Sequence, residues 1–186
     1  MTAEEPFRTV LIVAWLVLLP VMIYHRARAH ATGERLDRRQ EGLVMLLTLR
    51  PVGIAHNPAR MTWSQVALPN ALRWTGVALG LLAACLLVWT LVSLGRNLTD
   101  TVVTRQAHTL VTTGPYRWIR HPFYASVALS MIANGLTAAN GFLFVTAVIL
   151  LAFFAARIHR EEANLLARFG DPYKRYQERT GAFWPR

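Results

Sequence analysis

An all-α integral membrane protein with about five transmembrane helices is the fold class this sequence predicts. Three observations lead there. The 186 residues are 54% hydrophobic and only 16% charged, with a mean hydropathy of +0.31, whereas about a quarter of an ordinary soluble domain is charged. Apolar runs recur along the chain, and basic residues gather between them. No period-two alternation marks a strand anywhere. The length allows a single membrane domain, 1–186, with N-terminal spans in 1–94 and the polar motifs in 95–186.

The first apolar segment, Phe7–Tyr24, is long enough to span with little tilt. Pro20 is expected to kink it near one end, since lipid offers an exposed backbone no partner. The acidic Glu4 and Glu5 precede this run in place of a basic region, and no small-residue cleavage site follows, so it reads as a retained helix. The second segment, Glu41–His56, is interrupted by Arg50-Pro51 and reads as a short or broken span, with a re-entrant or interfacial helix as the alternatives. Asn57–Asn70 carries the turn signals Asn57-Pro58 and Leu68-Pro69-Asn70, flanked by Trp63 and Trp74 as interfacial anchors. Ala71–Leu94 is the clearest membrane helix. After the polar connection Gly95–Arg120 come two apolar helices, Pro122–Leu136 and Gly141–Ile158, joined by a turn of about five residues that suits an antiparallel hairpin. The tail, His159–Arg186, opens with a helical Glu-Glu-Ala-Asn-Leu-Leu-Ala-Arg, stopped by Gly170 and Pro172.

The net charge of +10 is almost wholly arginine, Lys174 being the only lysine. Its division into three clusters fits membrane topology better than a continuous nucleic-acid surface, so no nucleic-acid partner is expected. The basic stretches 25–40, 95–120 and the tail fall on one side of a five-span arrangement. The acidic N-terminus, the 57–70 loop and Thr137–Asn140 fall on the other. The positive-inside rule then puts the N-terminus outside and the C-terminus in the cytoplasm, in the plasma (inner) membrane if the source is bacterial. Cys85 is the only cysteine and sits in an apolar run, which excludes a disulfide framework, a CxxC pair and a cysteine-based zinc site. No HExxH or similar spacing points to a metal either.

The polar chemistry concentrates at the mouth of the last two spans. Pro122 suits the first position of a helix, so His121 and Tyr124 flank its opening. Arg157 and Glu161 are four apart and share a helical face. Because the hairpin returns the chain to the same side, Glu161 is expected near the His121–Tyr124 turn. One carboxylate, one guanidinium, two imidazoles and two phenols suit a zwitterionic, aromatic ligand. Taken separately, each has a plainer reading: a solvated helix end for 157–162, and an interfacial aromatic belt for Tyr116, Trp118, Phe123 and Tyr124.

The joint order is more specific. Leu110-Val-Thr-Thr-Gly-Pro-Tyr116-Arg-Trp-Ile-Arg120-His121-Pro122-Phe-Tyr124, an apolar hairpin, then Glu161-Glu162-x-x-Leu165-x-x-x-Phe169-Gly170-x-x-Tyr173-x-x-Tyr176 resembles the isoprenylcysteine carboxyl methyltransferase family. The phospholipid N-methyltransferases share its looser outline. The likeness covers about residues 95–186, which would then form the methyltransferase-like catalytic region. It implies a membrane methyltransferase that uses S-adenosylmethionine in a cytoplasmic pocket without a Rossmann domain, and no GxGxxG motif follows a strand here.

By motif position, the resemblance assigns His108, Thr109, Leu110, Val111, Tyr116, His121, Pro122, Phe123 and Tyr124 to the cofactor, with Glu161 on its amino group. Arg157 would orient the methyl acceptor, a lipophilic or lipid molecule, with a carboxylate as the family's choice. The N-terminal half offers no prenyl-group reader. Ser126 stands where a glycine often follows the His-Pro-x-Tyr turn, so the same acceptor pocket does not follow. A membrane NADPH-dependent reductase and a non-enzymatic membrane subunit are the competing readings. Oxygen, nitrogen or sulfur as the methylated atom, and the oligomeric state, stay open.

Overall fold

A computed structural model describes residues 6–7, 9–10, 12–13, 62–94 and 110–186. Segment 41–56, most of 7–24, and the stretch 95–109 that includes His108 and Thr109 lie outside the described residues. Four α-helices are described: α1 (Asn70–Leu94), α2 (Pro122–Ala138), α3 (Gly141–Phe169) and α4 (Asp171–Arg179), with short 3-10 turns at Thr62–Ser64 and Gly114–Arg117. Among the described residues there is no β-strand, only two isolated bridges.

Helix α1 starts immediately after Pro69, whose carbonyl accepts the Leu72 and Arg73 amides. Its 25 residues run for about 37 Å at 1.5 Å per residue, more than the hydrocarbon thickness of a bilayer. The hydroxyls of Thr75 and Thr90 fold back onto the carbonyls of Ala71 and Leu86, so neither leaves an unsatisfied polar group facing lipid. α1 meets α2 along Gly76 and Gly80. A Cβ at Gly76 would lie 2.7 Å from Thr137 Oγ1 and 2.8 Å from Leu136 Cβ. Small residues four apart let two backbones approach this closely.

The α2–α3 connection is tighter than expected: only Ala139 and Asn140 separate the two helices. Thr137 stays helical by donating its hydroxyl to the Ala133 carbonyl. Ala139 adopts a left-handed conformation (φ 49°, ψ 50°), and the Asn140 amide reaches back to Gly135 O at 3.1 Å, a Schellman closure. Asn140 then caps α3, its Oδ1 accepting from Phe142 N (3.0 Å) and Leu143 N (3.3 Å) while its Nδ2 donates to Ser64 Oγ (3.0 Å). Beside it, the buried Arg73 donates Nε to Thr137 O at 3.1 Å and stacks over the Phe7 ring at 4.0 Å.

Helix α3 also runs further than the apolar pattern alone suggests. It does not end at Ile158 but continues unbroken for 29 residues to Phe169, because His159–Phe169 contains good helix formers and no breaker. Gly170, at φ 56°, ends it, and α4 begins at the next residue. The core lies along the α2–α3 seam, where Tyr124, Met131, Ala147, Leu150, Phe154 and Ile158 pack together.

α1 and α3 are each long and apolar enough to cross a membrane, yet only 22% and 33% of their most apolar windows are buried. The core helix of a soluble protein would be mostly buried. Here large apolar side chains such as Leu81, Leu82, Val92 and Val148 face outward, the surface a lipid solvent accepts and water does not.

Candidate functional site

Three segments converge at the α2 N-terminus. The first is the turn Gly114–Arg117 with the segment Trp118–His121 that follows. Gly114 needs its positive φ of 60°, and any side chain there would strike Ser93 on α1, so this glycine docks the turn against the end of α1. The second is the part of α3 from Arg157 to Glu162. The third is α4 with residues 180–183. The Arg120 and His121 amides donate to the carbonyls of Gly181 (2.8 Å) and Ala182 (3.1 Å), and Tyr176 Oη donates to Tyr116 O at 2.6 Å.

Two carboxylates organise the side chains. Glu161 Oε1 accepts from Tyr124 Oη at 2.7 Å and from Arg157 Nε at 3.0 Å. Its Oε2 faces His121 Nδ1 at 4.0 Å, beyond hydrogen-bonding reach. Glu162, the next residue, points towards α4. Its Oε1 accepts from Arg120 Nε at 2.8 Å and pairs with His121 Nε2 at 3.1 Å, and its Oε2 accepts from Gln177 Nε2 at 3.2 Å. Arg120 is further committed to the carbonyls of Gln177 and Thr180. The His121 ring stacks on Tyr124 (5.9 Å between centroids) and packs against Phe183 (6.4 Å).

The surroundings keep the nearby phenols protonated. Burial first, and then the neighbouring Tyr176 and Glu161, push the Tyr116 hydroxyl up. Burial and the charge of Glu162 do the same for Tyr173, whose buried hydroxyl has no hydrogen-bond partner among the described residues. Both remain neutral donors at ordinary pH.

The structure therefore brings His121, Tyr124, Arg157 and Glu161 into one cluster, with Pro122 and Phe123 forming the helix start beneath it. Tyr116 joins through the Tyr176 bond to its carbonyl. Leu110 and Val111 lie half-buried on the extended stretch before the Gly114 turn, and none of the described hydrogen bonds or ion pairs ties them to the cluster. Arg120, Glu162, Gln177 and Tyr173 also lie at the site: Arg120, Glu162 and Tyr173 stand in the quoted motif without an assigned role, and Gln177 stands outside it. The adjacent acidic pair and the spaced tyrosines were the signals for them. Ser126 is fully buried and donates to Phe123 O at 2.8 Å, which explains why only a small residue fits there. Beside the cluster, a cavity of about 300 Å³ is lined by Leu86, Pro115, Trp118, Ile119, Phe183 and Pro185.

Known proteins share this fold. A solved structure of the eukaryotic intramembrane Ras methyltransferase matches with a TM-score of 0.61 at 24% identity, covering 81% of this chain and 54% of that one. The fold is thus that of an intramembrane methyltransferase. The profile of the isoprenylcysteine carboxyl methyltransferase family matches residues 76–167. Human protein-S-isoprenylcysteine O-methyltransferase is 30% identical over 121 residues, which is 63% of this chain and 43% of that protein. The cobalt-zinc-cadmium resistance protein CzcN of Cupriavidus metallidurans is 42% identical over 85 residues, 44% of this chain and 38% of that one. The chain spans about two fifths of the length of these two relatives. It belongs to the isoprenylcysteine carboxyl methyltransferase family.

Proposed function

We propose that this chain transfers a methyl group from S-adenosylmethionine to a lipophilic acceptor held at the membrane surface, with a carboxylate as the favoured acceptor group. The observation that carries the reading is the Tyr124–Glu161–Arg157 cluster at the α2 N-terminus, which sits beside an apolar cavity. The donor molecule supplies a methyl already activated on a sulfonium, so what remains for the protein is to bind, align and exclude water.

The residues present fit that ligand. Glu161 offers a carboxylate oxygen for its ammonium, and His121, Tyr124 and Phe123 offer flat apolar edges for an adenine. In this reading His108, Thr109, Leu110, Val111, Tyr116 and Pro122 complete its surroundings. Arg157 keeps a planar guanidinium next to Glu161, well suited to orient an acceptor carboxylate. A carboxylate is already a nucleophile and needs no general base. The cavity beside Phe183 suits the acceptor's hydrocarbon part, and the human relative's name specifies an isoprenylcysteine acceptor for that protein. The N-terminus lies outside and the C-terminus in the cytoplasm, so the site opens to the compartment that supplies the donor.

The deciding experiment is calorimetry on detergent-purified protein with S-adenosylhomocysteine and NADPH titrated in parallel. Saturable binding of the adenosyl ligand alone is expected, and its loss in Glu161→Ala would tie it to this cluster. Binding of NADPH alone would move the assignment to a reductase. Binding of neither, in folded protein, would favour a non-catalytic subunit.

A further inference from the structure

His121 Nδ1 and Glu161 Oε2 face each other in this site. His121 is buried to a relative exposure of 7%, and its Nδ1 makes no hydrogen bond among the described residues. It points at Glu161 Oε2, 4.0 Å away, which likewise accepts none. The other ring nitrogen is fully used: Nε2 lies 3.1 Å from Glu162 Oε1.

Glu162 determines what Nδ1 can be. Its carboxylate receives Arg120 Nε and Gln177 Nε2 and carries no proton to give, so the bond to His121 requires the proton to sit on Nε2. In a neutral imidazole that leaves Nδ1 as a lone pair. A lone pair and a carboxylate oxygen 4.0 Å apart repel unless a group with two donors lies between them. A nitrogen about 2.9 Å from each subtends roughly 90°, an angle that two N–H bonds of a tetrahedral ammonium reach with modest bending. A carboxylate or phosphate in the same place would meet two acceptors and be rejected.

We infer that Glu162 is a positioning residue that holds His121 in its Nε2–H form, so that His121 Nδ1 and Glu161 Oε2 together cradle the ammonium of the bound ligand. This rests on the methyltransferase reading and extends it, making the histidine a direct reader of the amino group and giving the second glutamate its purpose. Glu162 itself touches no ligand.

The test uses full-length protein labelled with ¹⁵N-histidine, together with a pair of probes: S-adenosylhomocysteine and its deaminated analogue. In ligand-free protein the His121 signals should be those of the Nε2–H tautomer. Wild type should bind the amino-bearing probe about 10- to 100-fold more tightly than the deaminated one, as two charge-assisted contacts imply. Glu162→Ala should disperse the tautomer signal and remove most of that preference. Glu162→Gln, whose amide oxygen still accepts from Nε2–H, should retain both, which a loss of charge or general destabilisation would not predict. If the alanine variant does not fold, wild type and Glu162→Gln still decide the question.

An Nδ1–H tautomer or a doubly protonated ring in wild type overturns the proposal, as does an amino-group preference that survives Glu162→Ala. If wild type binds neither probe, the methyltransferase reading falls, and the ligand-free nitrogen spectra alone decide whether Glu162 fixes the tautomer.

Discussion

Glu161 and Glu162 are adjacent in sequence, yet the helix turns them about 100° apart, and that angle separates their work. Glu161 shares one oxygen between Tyr124 and Arg157 and keeps the other turned to His121. Its replacement by alanine should weaken adenosyl-ligand binding by about 10- to 100-fold, the worth of a charge-assisted contact of roughly 1.5–3 kcal/mol, measured by calorimetry. Arg157→Ala should instead lower methyl transfer with a smaller change in that affinity. Arg157→Lys should rescue little, because a point charge cannot reproduce the planar fork. A variant series in which cofactor affinity and acceptor use fall together would place both residues on one ligand. The approach of Glu161 to the His121–Tyr124 turn was legible in the sequence, because a hairpin must return to its own side. The engagement of Glu162 was not: its partners Arg120 and Gln177 are 42 and 15 residues away, and no local spacing relates them.

At the scale of helices, the outer turn depends on one side chain. Asn140 caps α3, donates to Ser64 and follows the left-handed Ala139. Asn140→Ala should cost about 1–3 kcal/mol through the lost cap and the orphaned partners, seen as a lower midpoint of thermal unfolding in detergent. Asn140→Asp, which keeps the cap and loses only the donation to Ser64, should recover part of it. The α1–α2 contact is less forgiving. Gly76→Leu has no space beside Thr137 and Leu136 and should part the helices, with a loss of the order of 1–3 kcal/mol. Leu86→Trp should fill the apolar cavity, raising the acceptor KM while leaving cofactor affinity unchanged. The hairpin's existence could be read from its Thr-Ala-Ala-Asn-Gly punctuation. Its two-residue tightness could not, because Ala139 takes a left-handed conformation that its residue type disfavours. A helix over Glu161–Arg168 ending at Gly170 was legible too; its unbroken continuity with α3 was not, since hydropathy records where lipid contact ends and not where hydrogen bonding does.

For the molecule as a whole, the asymmetry of its arginines predicts its orientation. In a Cys85→Ala background, Trp63→Cys should react with an impermeant thiol reagent from outside intact cells, and Arg168→Cys only after permeabilisation. The reverse pattern would invert the topology and place the cluster away from the cytoplasm. The helical membrane class was readable from composition, because a bilayer demands long uninterrupted apolar runs. The way residues 180–183 complete the site was not, because that pairing runs through backbone groups common to every residue. It has a consequence in time. Arg120 and His121 receive their carbonyl partners from Gly181 and Ala182, about sixty residues later in synthesis. At roughly 5–20 residues per second, a ribosome needs about 3–12 s to supply them. During that interval the amides that hold the α2 entry have no partners, and the site has no floor. A nascent chain stalled with residue 179 as the last to emerge should therefore fail to capture an adenosyl ligand. One stalled with residues 180–186 clear of the exit tunnel should succeed, which makes ligand capture a clock for the arrival of Gly181 and Ala182.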